Sequence, residues 1–182
     1  AHTVYAFVIA FINIQPTVPV ENVADLCDMT SADVSYVYNL EYTDVTQENC
    51  SELSDATEFF WVAGNPVVSD AEGLELERSL AVADLIEVNL WVLVLLAIEI
   101  VVRLQGKGIT GGVVIRTATY AQFIIYAGIL SIGVYWASLG HWLYLGDEFV
   151  WIMGFAAIDL NLSEWRDEMI EEKAAAVAGA EI

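Results

Sequence analysis

Four polar residues near the ends of apolar stretches could form a charged cluster: Glu99, Arg103, Asp159 and Asn161. Glu99 precedes Arg103 by four residues, so their side chains would share one face of a helix and pair. Asp159 and Asn161 end a later apolar run that we expect to return to the same level. Glu99 and Arg103 carry opposite charges, so as a pair they are neutral, which favours their burial in apolar surroundings. We therefore predict that Glu99 is buried with Arg103, and we allow Asp159 as a third member.

Two further carboxylates, Asp84 and Glu87, begin the apolar stretch that contains Glu99. At about 100° per residue, all three fall within about a third of the helix circumference. One interpretation is a cation or proton path lined by these groups, because carboxylates at membrane depth normally face water or protein. The other places Asp84 and Glu87 at the outer head-group level and pairs Glu99 with Arg103. We favour the second.

Partners for these carboxylates occur in the next apolar stretch. Thr119, Gln122 and Tyr126 follow one another at helical spacing and would lie on one face. They can offer hydrogen bonds between neighbouring helices.

The element that positions Glu99 is a nearly unbroken apolar run, Val82 to Leu104, of 23 residues. At about 1.5 Å per residue it would cross the ~30 Å hydrocarbon core of a bilayer. The alternative, a core helix of a soluble domain, rarely needs apolar residues on every side. Ser69 and Glu72 have the spacing of a helix N-cap and its third residue. The sequence therefore predicts one long helix over 70–105.

The rest of the chain divides by composition and by the glycines and acids that interrupt the apolar runs. Residues 1–14 are apolar but short, and membrane helix, β-strand and start of a mature chain after leader removal all remain open. We favour a membrane-associated helix. The remaining predicted segments are an acidic region, a loop, a membrane span, an outer loop, a second such span and a tail: 15–69, 106–112, 113–137, 138–148, 149–165 and 166–182.

The acidic region over 15–69 holds the only two cysteines, Cys27 and Cys50. An even pair in a polar region beside membrane helices indicates one disulfide in an oxidising compartment. Closing a loop of this size would contribute roughly 3 kcal/mol in the chain-entropy model. The alternative is two unpaired thiols.

Basic residues are concentrated around the loop at 106–112. No acidic residue lies between Glu99 and Asp147, whereas Arg103, Lys107 and Arg116 fall in or beside the loop. By the positive-inside rule the loop is cytoplasmic. The N-terminal region is then outside, in agreement with the disulfide, and the C-terminus is cytoplasmic.

The charge balance restricts the partners. The chain has 26 acidic and 6 basic residues, a formal net charge of −20, although 57% of it is hydrophobic. This charge would repel nucleic acid and anionic lipid head groups. Acids on both sides of the apolar block indicate adaptation to concentrated salt, where self-repulsion is screened, and a salt-loving microbe as the source.

Signatures of cofactor enzymes are missing from the sequence. No lysine lies in a predicted span to form a Schiff base, the two histidines are too few for haem or a multi-histidine copper site, and no Walker or Rossmann glycine pattern occurs. We predict no catalytic, cofactor or metal site.

These observations together predict a mainly α integral membrane protein with three transmembrane helices, or four if residues 1–14 cross, and a small disulfide-braced extracellular region. We expect a non-enzymatic assembly subunit of a homo-oligomer or a larger membrane complex. The alternative is a subunit of a cation or proton channel or transporter that uses intramembrane carboxylates.

Overall fold

A computed structural model describes residues 18–62 and 66–180. The chain divides into two compact units, one ending at Val88 and the other beginning at Asn89. Helices make up 67% of the structure that these residues describe, which confirms a mainly α protein. The segment 1–14 lies outside the described residues.

The first unit contains a small β-sheet that the sequence pattern does not predict. Its four strands are each four residues long: β1 (Ser35–Tyr38), β2 (Glu41–Asp44), β3 (Phe59–Val62) and β4 (Val67–Asp70). They pair in the order β2-β1-β4-β3, with β1 and β4 parallel and the two outer pairs antiparallel. Strands this short carry little periodic signal, and the β1–β4 pair joins residues more than 30 positions apart.

The sheet is covered on both faces except at β2, whose four residues are all exposed. Tyr36 and Val37 point to opposite sides, as neighbouring strand residues must, and each belongs to a different apolar cluster. The cluster around Tyr36 contains Phe59 and Val68 together with a 3-10 turn at Leu26–Met29. The cluster around Val37 contains Leu74 of the following helix. The acidic region therefore folds around a core of its own.

The predicted disulfide is confirmed. Cys27 in the 3-10 turn is bonded to Cys50, the first residue of the short helix α1 (Cys50–Leu53), with their Cα atoms 5.0 Å apart. Cys50 is buried in the same cluster as Tyr36. The bond therefore fastens the segments that cover one face of the sheet.

The long helix α2 (Ala71–Gly106) follows β4 directly and agrees with the predicted helix over 70–105. Its N-cap, however, is Asp70 and not Ser69. The Asp70 carboxylate accepts a hydrogen bond of 2.8 Å from the Gly73 N–H. Ser69 is fully buried in β4 and its hydroxyl donates to the Val37 carbonyl at 2.7 Å. The strand therefore continues one residue further than the local capping pattern indicates.

A buried acid on α2 holds the turn between β1 and β2. Asn39 and Leu40 both have positive φ, as a tight two-residue hairpin requires. The Leu40 N–H donates to the Glu77 carboxylate at 2.8 Å, and Glu77 is only 7% exposed. The hydrogen bond offsets part of the cost of burying that carboxylate.

Two further helices complete the second unit: α3 (Val113–Ser138) and α4 (Trp142–Ala180). The outer loop expected over 138–148 is instead a three-residue turn, and the helix that begins at Trp142 runs without a break through the span expected over 149–165 and into the tail expected over 166–182, as far as Ala180. Gly140, with φ of 96°, provides the turn. Beyond residue 166 the tail is rich in Glu and Ala, which favour helix and explain why α4 continues there.

Helices α2 and α3 are long and apolar enough to span a membrane. Only 11% and 17% of their most apolar 18-residue stretches are buried within the chain, unlike the core helix of a soluble protein. The apolar part of α4 is interrupted by Asp159 and Asn161. Trp91 of α2 packs on Phe155 of α4, with ring centroids 5.4 Å apart.

Candidate functional site

A polar cluster lies between α3 and α4 in the second unit. One oxygen of the Asp159 carboxylate accepts a hydrogen bond from the Gln122 amide at 2.9 Å. The other accepts a hydrogen bond from the Tyr126 hydroxyl at 3.0 Å. Gln122 and Tyr126 are four residues apart on α3, so one face of this helix supplies both donors. Gln122 is 6% exposed.

These three side chains line a cavity of about 230 Å³. Val101 of α2 contributes to its wall, and Arg166, two helical turns beyond Asp159 on α4, also lines it. The Arg166 guanidinium donates to the Ser163 hydroxyl at 2.7 Å. The cavity thus contains a carboxylate and a guanidinium, each with a neutral hydrogen-bond partner. The remaining lining residues are Thr119, Phe123 and Leu162.

The predicted pair of Glu99 and Arg103 forms, but it is exposed in this chain. The Arg103 Nε lies 2.6 Å from the Glu99 carboxylate, and the two side chains are 75% and 54% exposed, respectively. The single chain therefore does not bury the pair, and its burial in an assembly stays a prediction. Val101 faces the cavity, and a residue two positions away points about 200° around the helix. Glu99 consequently faces outward.

The other predicted site residues do not lie beside Glu99 and Arg103, because Glu99 faces away from α3 and α4. Asp159 accepts its hydrogen bonds from α3 and does not join the Glu99–Arg103 pair. Asn161, two residues further along α4, is exposed. Asp84 and Glu87 are half-buried in the first unit. Of the predicted site residues, the structure therefore places Asp159 alone in the cavity.

Gln105 is a buried polar residue that sequence reasoning missed. It is 1% exposed, and its amide nitrogen donates to the Leu162 carbonyl of α4 at 3.2 Å. The amide oxygen has no hydrogen-bond partner among the described residues. Val94, Val101 and Gln105 follow one another at spacings of seven and four residues and form the inward face of α2. The sequence does not single out this face, because the helix is apolar on every side there.

A second polar network, in the first unit, is organised by Asp70. Ser54 and Tyr36 donate to one carboxylate oxygen at 2.6 and 2.8 Å, and Gly73 donates to the other. Burial raises the pKa of Asp70, but these hydrogen bonds outweigh it, so the pKa lies below its usual value. Burial, followed by the bond to Asp70, raises the pKa of Tyr36 above its usual range. The network joins the sheet to the start of α2.

The first unit should therefore lose stability in acid through Asp70. A carboxyl group whose pKa is lower in the folded state stabilises the fold above its unfolded pKa, about 3.9, and this contribution is lost as pH falls through the folded pKa. We expect Asp70→Asn to reduce stability at pH 7 and to flatten the loss between pH 5 and 3. Near-UV circular dichroism melts measure both effects. Glu21→Gln, at an exposed acid, should keep the wild-type pH profile; an unchanged profile in Asp70→Asn would contradict this role.

Comparison of the chain with protein-family models, with curated proteins and with solved structures found no match.

Proposed function

We propose that this chain is a multi-pass membrane protein that acts as the assembly subunit of a homo-oligomeric complex, with the outer face of α2 as the contact between copies. The large apolar side chains left exposed on all three long helices support membrane insertion. They include Leu93, Phe123 and Leu143, at 46%, 72% and 89% exposure. Hydrocarbon, rather than water, is the solvent that such surfaces suit.

The proposed topology has three spans, with α4 tilted or bent to complete the third. The disulfide-bonded sheet unit is extracellular, in keeping with an oxidising compartment. The turn between α2 and α3, flanked by Arg103, Lys107 and Arg116, is cytoplasmic by the positive-inside rule, and so is the C-terminus.

The observation that carries the assembly proposal is an ion pair on an apolar, exposed helix face. Glu99 lies seven residues, or about 10 Å, before the end of α2. Its exposed neighbours Leu95, Leu96 and Ile100 are each more than half exposed. A carboxylate among such residues is costly if it faces lipid and normally faces protein instead. A partner must therefore cover it.

The spacing of exposed residues points to a second copy of the same helix. Asn89, Val92, Leu96, Glu99 and Arg103 are exposed and follow one another at intervals of three and four residues. This is the heptad repeat of helices that pack along a seam. In a two-fold symmetric pair, the carboxylate of Glu99 would reach the guanidinium of Arg103 in either copy. The face therefore carries both of the charges that a second copy of it would need.

Cysteine crosslinking tests the seam directly. The native cysteines are bonded to each other, so a single introduced thiol is the only free one. Leu96→Cys should crosslink into a dimer on mild oxidation in detergent or membranes. The matched control is Leu95→Cys, which is equally exposed but points about 100° away. Equal crosslinking of the two variants, or none of Leu96→Cys, would exclude this seam.

Removing one charge should weaken assembly. We expect Glu99→Gln and Arg103→Gln each to reduce the oligomer fraction, because a buried charge left without its partner costs about 3–5 kcal/mol. The double variant should recover part of the loss. Light scattering of the purified proteins measures the oligomer fraction, and Glu75→Gln, at an exposed acid of α2 in the first unit, is the control.

The same variants separate assembly from ion conduction. In a channel, Glu99 would line a path formed between copies. Glu99→Gln would then abolish cation flux into liposomes while the oligomer stayed intact. That result would overturn the assembly role in favour of a cation or proton pathway.

A further inference from the structure

The cavity beside Asp159 contains two opposite charges that do not pair with each other. Both oxygens of the Asp159 carboxylate accept hydrogen bonds, one from Gln122 and one from Tyr126. Arg166 lines the same cavity, yet its guanidinium bonds to Ser163. An acidic and a basic residue of α4, Asp159 and Arg166, therefore line the same cavity.

The arrangement along α4 keeps these charges at a fixed separation. Asp159 and Arg166 are seven residues apart, so they share one face of the helix with their Cα atoms about 10 Å apart along its axis. Helical side chains lean toward the N-terminus, which directs Arg166 toward Asp159. The two donors to Asp159 belong to α3 and hold the carboxylate at its end of the cavity.

The charges also select among ligands. A simple cation drawn to Asp159 would meet the guanidinium of Arg166, and a simple anion would meet the carboxylate of Asp159. A molecule with both charges satisfies each group at once. The volume of about 230 Å³ holds about seven waters, and hence a molecule with a similar number of non-hydrogen atoms. Tyr126 adds an aromatic ring that suits an ammonium group.

We propose that this cavity binds a small zwitterion of the amino-acid type, with its ammonium group at Asp159 and Tyr126 and its carboxylate at Arg166. In the complex, the carboxylate of Asp159 would pair with the ammonium group of the ligand, and the guanidinium of Arg166 would pair with the carboxylate of the ligand. This inference rests on the cavity and is independent of the assembly proposed for the outer face of α2.

Binding of radiolabelled glycine, β-alanine and trimethylglycine to the purified full-length protein tests the proposal. At least one of the three should bind saturably. Methylammonium and acetate, which each carry half of the glycine molecule, should compete at least tenfold more weakly than the unlabelled zwitterion. Competition by methylammonium alone, at the potency of the zwitterion, would show a cation site and overturn the proposal. Absence of binding by all three probes would also overturn it.

Variants connect binding to the cavity. We expect Asp159→Asn and Arg166→Gln each to weaken binding at least tenfold, whereas Glu164→Gln, at an exposed acid of α4, should bind as the wild type does. Because Asp159 also joins α3 to α4, its variant is first compared with the wild type in thermal unfolding without ligand. If Asp159→Asn does not fold, Arg166→Gln still tests the proposal, because Arg166 donates to Ser163 of its own helix and this hydrogen bond does not join two helices. Unchanged binding in Arg166→Gln would refute the assignment.

Discussion

Gly73→Ala is expected to lower the free energy of unfolding of the sheet-containing unit by about 2–5 kcal/mol. Gly73 is the third residue of α2 and lies against β1. A methyl group there would collide with the Ser69 hydroxyl, lie 3.0 Å from the Tyr38 ring and 3.3 Å from the Val37 carbonyl oxygen. Either the helix moves away from the sheet or Ser69 gives up its buried hydrogen bond to Val37. Both responses cost stability.

Hydrogen exchange measured by mass spectrometry can follow this unit separately from the long helices. The amides of β1 and β4 should exchange faster in Gly73→Ala. Adding Ser69→Ala removes the nearest clashing atom and should recover part of the protection. Gly154→Ala is the control, because a methyl group at Gly154 of α4 meets no atom within 4 Å. Wild-type protection in Gly73→Ala would mean that α2 does not lie this close to β1.

Replacing both cysteines, in Cys27→Ala with Cys50→Ala, is expected to remove roughly 3 kcal/mol of stability from the same unit. The two residues are 23 positions apart, and without the bond the unfolded chain regains the freedom of that loop. The effect is large because the unit is small, and small domains bury too little surface to tolerate such a loss easily. Protection of β1 and β3 from hydrogen exchange should fall accordingly.

Reduction of the wild-type protein provides the comparison. A reducing agent should bring the wild type to the stability of the double variant and leave the double variant unchanged. A double variant that responds to reductant as strongly as the wild type would show that the effect does not come from this bond.

Features set by local pattern or composition could be predicted from the sequence. The membrane-length part of α2 follows from the apolar run from Val82 to Leu104, which has no Gly or Pro, and the contact of Glu99 with Arg103 follows from a spacing of four residues on a helix. The disulfide follows from the cysteine count, since one pair allows one bridge. The salt adaptation inferred from the net charge stays a prediction.

Which side of each element faces inward was decided by the tertiary structure. The middle of α2 is apolar all round, so its periodicity does not mark a packed face, and the contacts with other helices place Val94, Val101 and Gln105 inward and Glu99 outward. The hydrogen bonds of Asp159 join residues 37 and 33 positions apart. The parallel pairing of β1 with β4 is equally non-local. Such contacts depend on how whole elements pack, which neighbouring residues along the chain do not specify.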